Sequence, residues 1–169
     1  DDAIMFCFTG ISTLFKMMEK LKPLIYRWMF IWYADNNMQH GSIGFAKYSP
    51  ALVLSKTECS IFCGMQDLKR ISTPCFPIEK QPHPTMKPLK LIEYIVSEAS
   101  AENETIIDPF MGSGTTLVAA KYLGRKAIGI EIERAYCDIA VKRLQQEYFN
   151  FTEVKPKPKD SEEKVLTLF

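Results

Sequence analysis

Thr105-Ile106-Ile107-Asp108-Pro109-Phe110-Met111-Gly112-Ser113-Gly114-Thr115-Thr116 is the stretch on which the reading of the fold turns. A β-favouring run meets an acid-proline break and a glycine turn, and Thr115 to Leu123 then reads as a short helix closed by Gly124. Lys126 to Ile132 supplies a second strand. Ala135 to Tyr148 follows as an amphipathic helix carrying Tyr136, Ile139, Ala140 and Leu144. The order β-α-β-α is the unit of a parallel, doubly wound α/β sheet.

Outward from this unit the pattern is simpler. After Pro88, Ile92, Ile95, Val96 and Ala99 fall at i, i+3, i+4 and i+7 and predict a helix. Residues 56–86 contain Pro74, Pro77, Pro82 and Pro84 and read as irregular. Before them, Ala51-Leu52-Val53-Leu54 reads as a strand antiparallel to Tyr26 to Ala34, with polar Asp35 to Gly44 as the loop between. Ala3 to Phe8 reads as a buried strand. Leu14, Met17, Met18 and Leu21 form one face of a helix that Ser12 or Thr13 caps and Pro23 stops.

The glycine turn lies where a strand's carboxyl end enters a helix, which is where open α/β sheets bind ligands. Gly112 and Gly114 let a ligand approach the backbone, and the unpaired amides opening the helix favour a carboxylate or phosphate. Ser113, Thr115 and Thr116 offer hydroxyl donors to the same anion. No lysine follows the turn, which excludes the triphosphatase phosphate loop, and the Gly-x-Gly-x-x-Gly dinucleotide pattern is not present. Glu131 ends the second strand 23 residues after Asp108, an offset at which an acid accepts hydrogen bonds from ribose hydroxyls. A nucleoside bearing a separate carboxylate fits these features, and S-adenosylmethionine is such a molecule.

Three motifs in order carry a resemblance: His83-Pro84-Thr85-Met86-Lys87-Pro88, then Asp108 to Thr116, then Gly129-Ile130-Glu131 with Tyr136. They resemble the cofactor motifs of S-adenosylmethionine-dependent, amino-methylating DNA methyltransferases of the adenine-N6/cytosine-N4 type. The likeness is to the permuted members, in which the cofactor motif follows the catalytic half. It implies a Rossmann-like methyltransferase fold, a mostly parallel doubly wound sheet with one antiparallel strand. Residues 1–152 would form the C-terminal portion of that domain, with 83–149 as its cofactor-binding half and 153–169 as a charged tail. Asp108, Phe110, Gly112 and Gly114 would shape the methionine side of the pocket, with Pro109 in the same turn. Ser113, Thr115 and Thr116 would hold the carboxylate, Glu131 the ribose and Ile132 the adenine, while Thr85 and Lys87 approach from the preceding segment. The implied partner is double-stranded DNA presenting a flipped base, with adenine N6 ahead of cytosine N4 as acceptor. A homodimer is admitted, and no metal is expected, since the leaving group is a neutral sulfide.

One departure stands against these agreements. The family's catalytic motif is an Asp, Asn or Ser followed by Pro-Pro and an aromatic residue, and none of the 10 prolines here are adjacent. No catalytic residue is therefore assigned. The expectation is an N-terminally incomplete domain that begins downstream of the motif. A non-catalytic cofactor-binding or dimerisation subunit, or a methyltransferase acting on RNA, remain the alternatives.

Composition sets the outer bounds. A chain of 169 residues, 47% hydrophobic and 24% charged, suits one soluble domain. Its net charge of +1 carries no basic nucleic-acid footprint, though a local cleft can be basic on a neutral molecule. An odd set of cysteines (Cys7, Cys59, Cys63, Cys75, Cys137) fits a reducing cytoplasm better than disulfides. Cys59, Cys63, Cys75 and His83 lack the Cys-x-x-Cys spacing of a zinc knuckle. Leu24 to Ala34, the longest apolar stretch, is interrupted by Arg27 and falls short of the roughly 20 residues of a membrane span.

Overall fold

β5 (Tyr48–Ser55) is buried at every residue after Tyr48, as its unbroken Ala-Leu-Val-Leu run requires of a strand covered on both faces. In the computed structural model, which describes residues 3–36, 39–40, 45–58, 65–73 and 86–146, this strand is the centre of the larger sheet. β1 (Ile4–Phe8) and β2 (Ile25–Tyr33) flank it, both antiparallel to it. β6 (Leu68–Arg70) joins the far edge of β2 in parallel, giving the order β1-β5-β2-β6. β5 is thus the one reversed strand of the four.

Two short additions depart from the sequence reading. The span Asp35 to Gly44 read as a loop holds one short strand, β3 (Gln39–His40), which pairs antiparallel with β4 (Phe45–Ala46) just beyond it. The proline-rich span read as irregular contains β6, which has no hydrophobic alternation to reveal it. Backbone pairing to β2 and the bidentate ion pair of Arg70 with Asp35, at 2.9 Å, hold it instead. α1 (Leu14–Lys20) half-buries Leu14, Met17 and Met18 as the spacing predicts, and Leu21 beyond it likewise, but Thr13 provides no side-chain cap. The Thr13 hydroxyl donates to the Gly10 carbonyl instead.

α2 (Leu89–Ala99) buries Leu91, Ile92, Ile95 and Val96 and ties the two parts of the molecule together. Its apolar face joins one core with Phe30, Trp32, Ala51 and Val53 of the larger sheet and Ala119 beyond, and Ile106 packs against that cluster. The second part is a parallel pair, β7 (Thr105–Asp108) with β8 (Lys126–Gly129), in register Ile107↔Ile128 and Asp108↔Gly129. α3 (Thr115–Tyr122) crosses between these strands, and α4 (Arg134–Gln145) follows β8. β8 stops three residues before the predicted Ile132. Ile130 still donates to the Asp108 carbonyl and accepts from Met111, but beyond it β7 has turned away at Pro109 and offers no further backbone partner.

Candidate cofactor site

The turn after β7 is built by its own side chains. Asp108 Oδ1 accepts the Phe110 amide at 3.0 Å, curling the chain around Pro109, and the Gly114 amide donates to the Met111 carbonyl at 2.8 Å. Gly112 (φ 51°) and Gly114 (φ 77°) both occupy the left-handed region that side chains avoid. Gly114 is the N-cap of α3, and a Cβ there would sit 2.7 Å from the Ala140 Cβ on α4. Its lack of a side chain is therefore required by helix packing as well as by the turn.

Glu131 closes the turn from the β8 side. Its Oε2 accepts the Gly112 amide at 2.9 Å and its Oε1 accepts the Glu133 amide at 3.0 Å. These two bonds fix the orientation of the Glu131 carboxylate. The residue read as a ribose ligand is thereby also a brace for the turn.

A cavity of about 140 Å³ opens above the turn, lined by Lys87, Asp108, Phe110, Gly112, Ser113, Thr115 and Thr116, together with Met86, Ile92 and Met111. Pro109, Gly114, Glu131 and Ile132 lie outside that lining, and Thr85 falls outside the described residues. The apolar groups flanking the turn are strongly exposed, Phe110 at 89% and Ile132 at 94%. Large apolar side chains bare to this degree beside a polar cavity suit a flat apolar ligand surface lying against them.

Lys87 links the two parts of the molecule at this cavity. Its Nζ lies 5.2 Å from the centroid of the Phe8 ring at the end of β1. Burial pushes its pKa below the ordinary lysine value, while the nearby Asp108 carboxylate pulls it back up. A partly desolvated ammonium beside hydroxyl donors is a strong partner for an anion.

Sequence reasoning missed Arg143 on α4. Its Nη1 donates to the Ser113 carbonyl at 2.7 Å, the Ser113 hydroxyl at 3.0 Å and the Thr115 hydroxyl at 3.1 Å. A signal existed, because Arg143 follows Ala140 by one helical step on the inward face and is a charge where an apolar residue is expected.

The indole and amide side chains in and just after β2 are engaged within the protein where they are described. Trp32 is buried and its indole donates to the Ile71 carbonyl at 2.7 Å, Trp28 packs against the core, and the Asn36 amide pairs with the Thr73 backbone. Asn37 and the side chain of His40 lie outside the described residues, as do Cys59, Cys63, Cys75 and His83. Among the described residues no cluster could hold a metal ion, and no helix is long and apolar enough to cross a membrane.

Comparison with known proteins gives a consistent picture. The model of a family described as DNA methylase, N6_N4_Mtase, matches residues 55–142. The type II methyltransferase M2.LlaDCHI of Lactococcus lactis subsp. cremoris is 55% identical over 64 residues, 38% of this chain and 24% of that protein. M.HinfI of Haemophilus influenzae is 45% identical over 83 residues, 49% of this chain and 21% of that protein. The matched part of this chain thus spans about a quarter of the length of these curated relatives. Among solved structures, the M1.HpyAVI–SAM complex superposes with a TM-score of 0.71 at 29% identity, covering 86% of this chain and 76% of that one.

Proposed function

This chain belongs to the adenine-N6/cytosine-N4 DNA methylase family, and on that premise we propose that it forms the S-adenosylmethionine-binding part of a DNA amino-methyltransferase. The acceptor would be an exocyclic amino group of a base in double-stranded DNA, adenine N6 first and cytosine N4 second. The observation that carries the reading is the composition of one cavity. Lys87 and Ser113, Thr115 and Thr116 line one space bounded by the glycine turn, with the bare Phe110 in its wall, and Ile132, outside that lining, is bare just after Glu131. A carboxylate fits the first group and an adenine the second. Methylation would take place in the reducing cytoplasm.

When bound, S-adenosylmethionine supplies a methyl group made electrophilic by its sulfonium. The chain's own contribution is positional. Ser113, Thr115 and Thr116 would hold the amino-acid carboxylate, with Lys87 and Thr85 approaching from the segment before α2. Glu131 would receive the ribose hydroxyls. Asp108, Pro109, Phe110, Gly112 and Gly114 would shape the methionine side, and Ile132 would cover the adenine. Fixing the donor in this way supplies a large part of the rate of a group transfer between two bound partners. No residue of this chain is assigned to activate the target amino group.

The test is radiolabelled methyl transfer to mixed-sequence duplex DNA and to RNA. It compares this chain with a longer polypeptide carrying a Pro-Pro-aromatic motif upstream, with methylated nucleosides identified by mass. We expect product on duplex DNA from the longer polypeptide only, because positioning and activation together are worth several orders of magnitude. Robust activity of the short chain would mean that the catalytic centre lies within it. Product on RNA alone would replace the substrate, and a longer polypeptide that binds but never transfers would make the chain a cofactor-binding subunit.

A further inference from the structure

Arg143 makes three hydrogen bonds from one nitrogen, and their direction has a consequence for the cavity. A guanidinium is a donor only, so the Ser113 and Thr115 hydroxyl oxygens must accept from it. Their own hydrogens cannot then be used toward Arg143, and among the described residues neither hydroxyl donates to another protein oxygen. Both side chains are nearly covered by protein, at 3% and 6% exposure, and both line the cavity. A hydroxyl is ordinarily ambivalent, able to greet a donor or an acceptor. Here Arg143 occupies one lone pair of each, which leaves the hydrogens to be directed into the cavity.

The charge acts in the same sense. Arg143 is half-buried on α4, and no carboxylate among the described residues pairs with it. Its positive charge is met by three neutral oxygens, which transmit it to the floor of the cavity through polarised hydroxyls. Burial lowers its pKa, but an arginine keeps its proton at any working pH.

We propose that Arg143 is a positioning residue that sets the anion selectivity of the cavity, by holding the Ser113 and Thr115 hydroxyls as donors toward a ligand carboxylate. The inference rests on the cofactor reading above and deepens it. Arg143 itself need not touch the ligand. It would act through the two hydroxyls, so its influence should be confined to ligands that bring an acceptor to them.

The experiment is calorimetric titration of the full chain and its Arg143→Met and Arg143→Lys variants with two ligands. One is S-adenosylhomocysteine; the other is its decarboxylated analogue, which differs only in lacking the carboxylate. The expected result is a loss of about ten-fold or more in affinity of Arg143→Met for S-adenosylhomocysteine, with the decarboxylated analogue changed less than about two-fold. Arg143→Lys keeps the charge and three donors on one nitrogen but carries them on a shorter, differently shaped side chain, and should fall between. The ratio of the two affinities is read within each variant on the same folded protein, so a partial loss of fold cannot imitate it. Equal losses for both ligands, or no loss for either, would overturn the proposal and make Arg143 a packing residue. An unaltered chain that binds neither ligand would overturn the cofactor reading itself, and this inference with it.

Discussion

The larger sheet and the β7–β8 pair are made of similar residues and are treated very differently by their surroundings. β5 is buried on both faces along nearly its whole length, whereas Ile107 of β7 stays 62% exposed and its register partner Ile128 is also exposed. Ile106, one residue away on the opposite face, packs against the core. One region is therefore organised to exclude water. The other spends one face of its strands on the core and keeps their carboxyl ends open for a ligand. The difference teaches that the recognisable chemistry of this chain sits where its strands are least completely covered.

That contrast can be broken most directly by truncating one side chain in each region. Phe30→Ala removes a fully buried ring from the larger sheet and should cost about 3–5 kcal/mol in denaturant unfolding. Ile107→Ala on the bare face should change stability by only about 0.5 kcal/mol. Comparable losses at the two positions would mean that something covers the exposed face.

A smaller effect is expected at Glu131, and on binding more than on folding. Glu131→Ala removes a charged acceptor from the proposed ribose contact and should cost roughly 1.5–3 kcal/mol of cofactor affinity, about ten- to a hundred-fold. Because the same carboxylate braces Gly112 and Glu133, Glu131→Gln should recover part of the loss by restoring one acceptor. Unchanged affinity in both variants, read by calorimetry, would remove Glu131 from the site.

The smallest expected effect is on the pH dependence of stability. Lys87 has a pKa lowered by burial, so between that value and the ordinary lysine value the unfolded chain binds more protons than the folded one. Stability should therefore rise with pH through that alkaline window, and the rise should be weaker in Lys87→Met. Identical profiles for the two proteins would show that the ammonium is not desolvated in the folded chain.

Much of this organisation was legible in the sequence because local chemistry and tertiary fate agree there. The Asp108-Pro109 break, the glycines and the following threonines form a strand-turn-helix in the structure as they do on paper. What stayed hidden depends on partners distant in the chain. β6 exists because β2 offers an edge, not because Leu68-Lys69-Arg70 has a strand's pattern. Arg143 reaches a loop 30 residues earlier, and although its place on the inward face of α4 marks it as unusual, nothing local says which loop it meets. Glu131 was read for a ribose, and what the structure shows is a carboxylate accepting from the Gly112 and Glu133 amides, a bracing role its offset from Asp108 did not announce. Gly114 was read for a ligand, yet its closest constraint is Ala140 on another helix.

The central claim is that the glycine turn is a binding site and not merely a tight corner, and Gly112→Val tests it. A β-branched side chain at φ 51° strains the backbone by about 1–3 kcal/mol and places a methyl-bearing carbon where the ligand would approach. Thermal unfolding and titration with S-adenosylhomocysteine would be measured on the same samples. The account predicts that the variant still unfolds cooperatively, with a melting temperature lowered by no more than that strain accounts for, while ligand affinity falls by about a hundred-fold or more. Undiminished affinity, or a loss of affinity no larger than the loss of folding free energy, would contradict it.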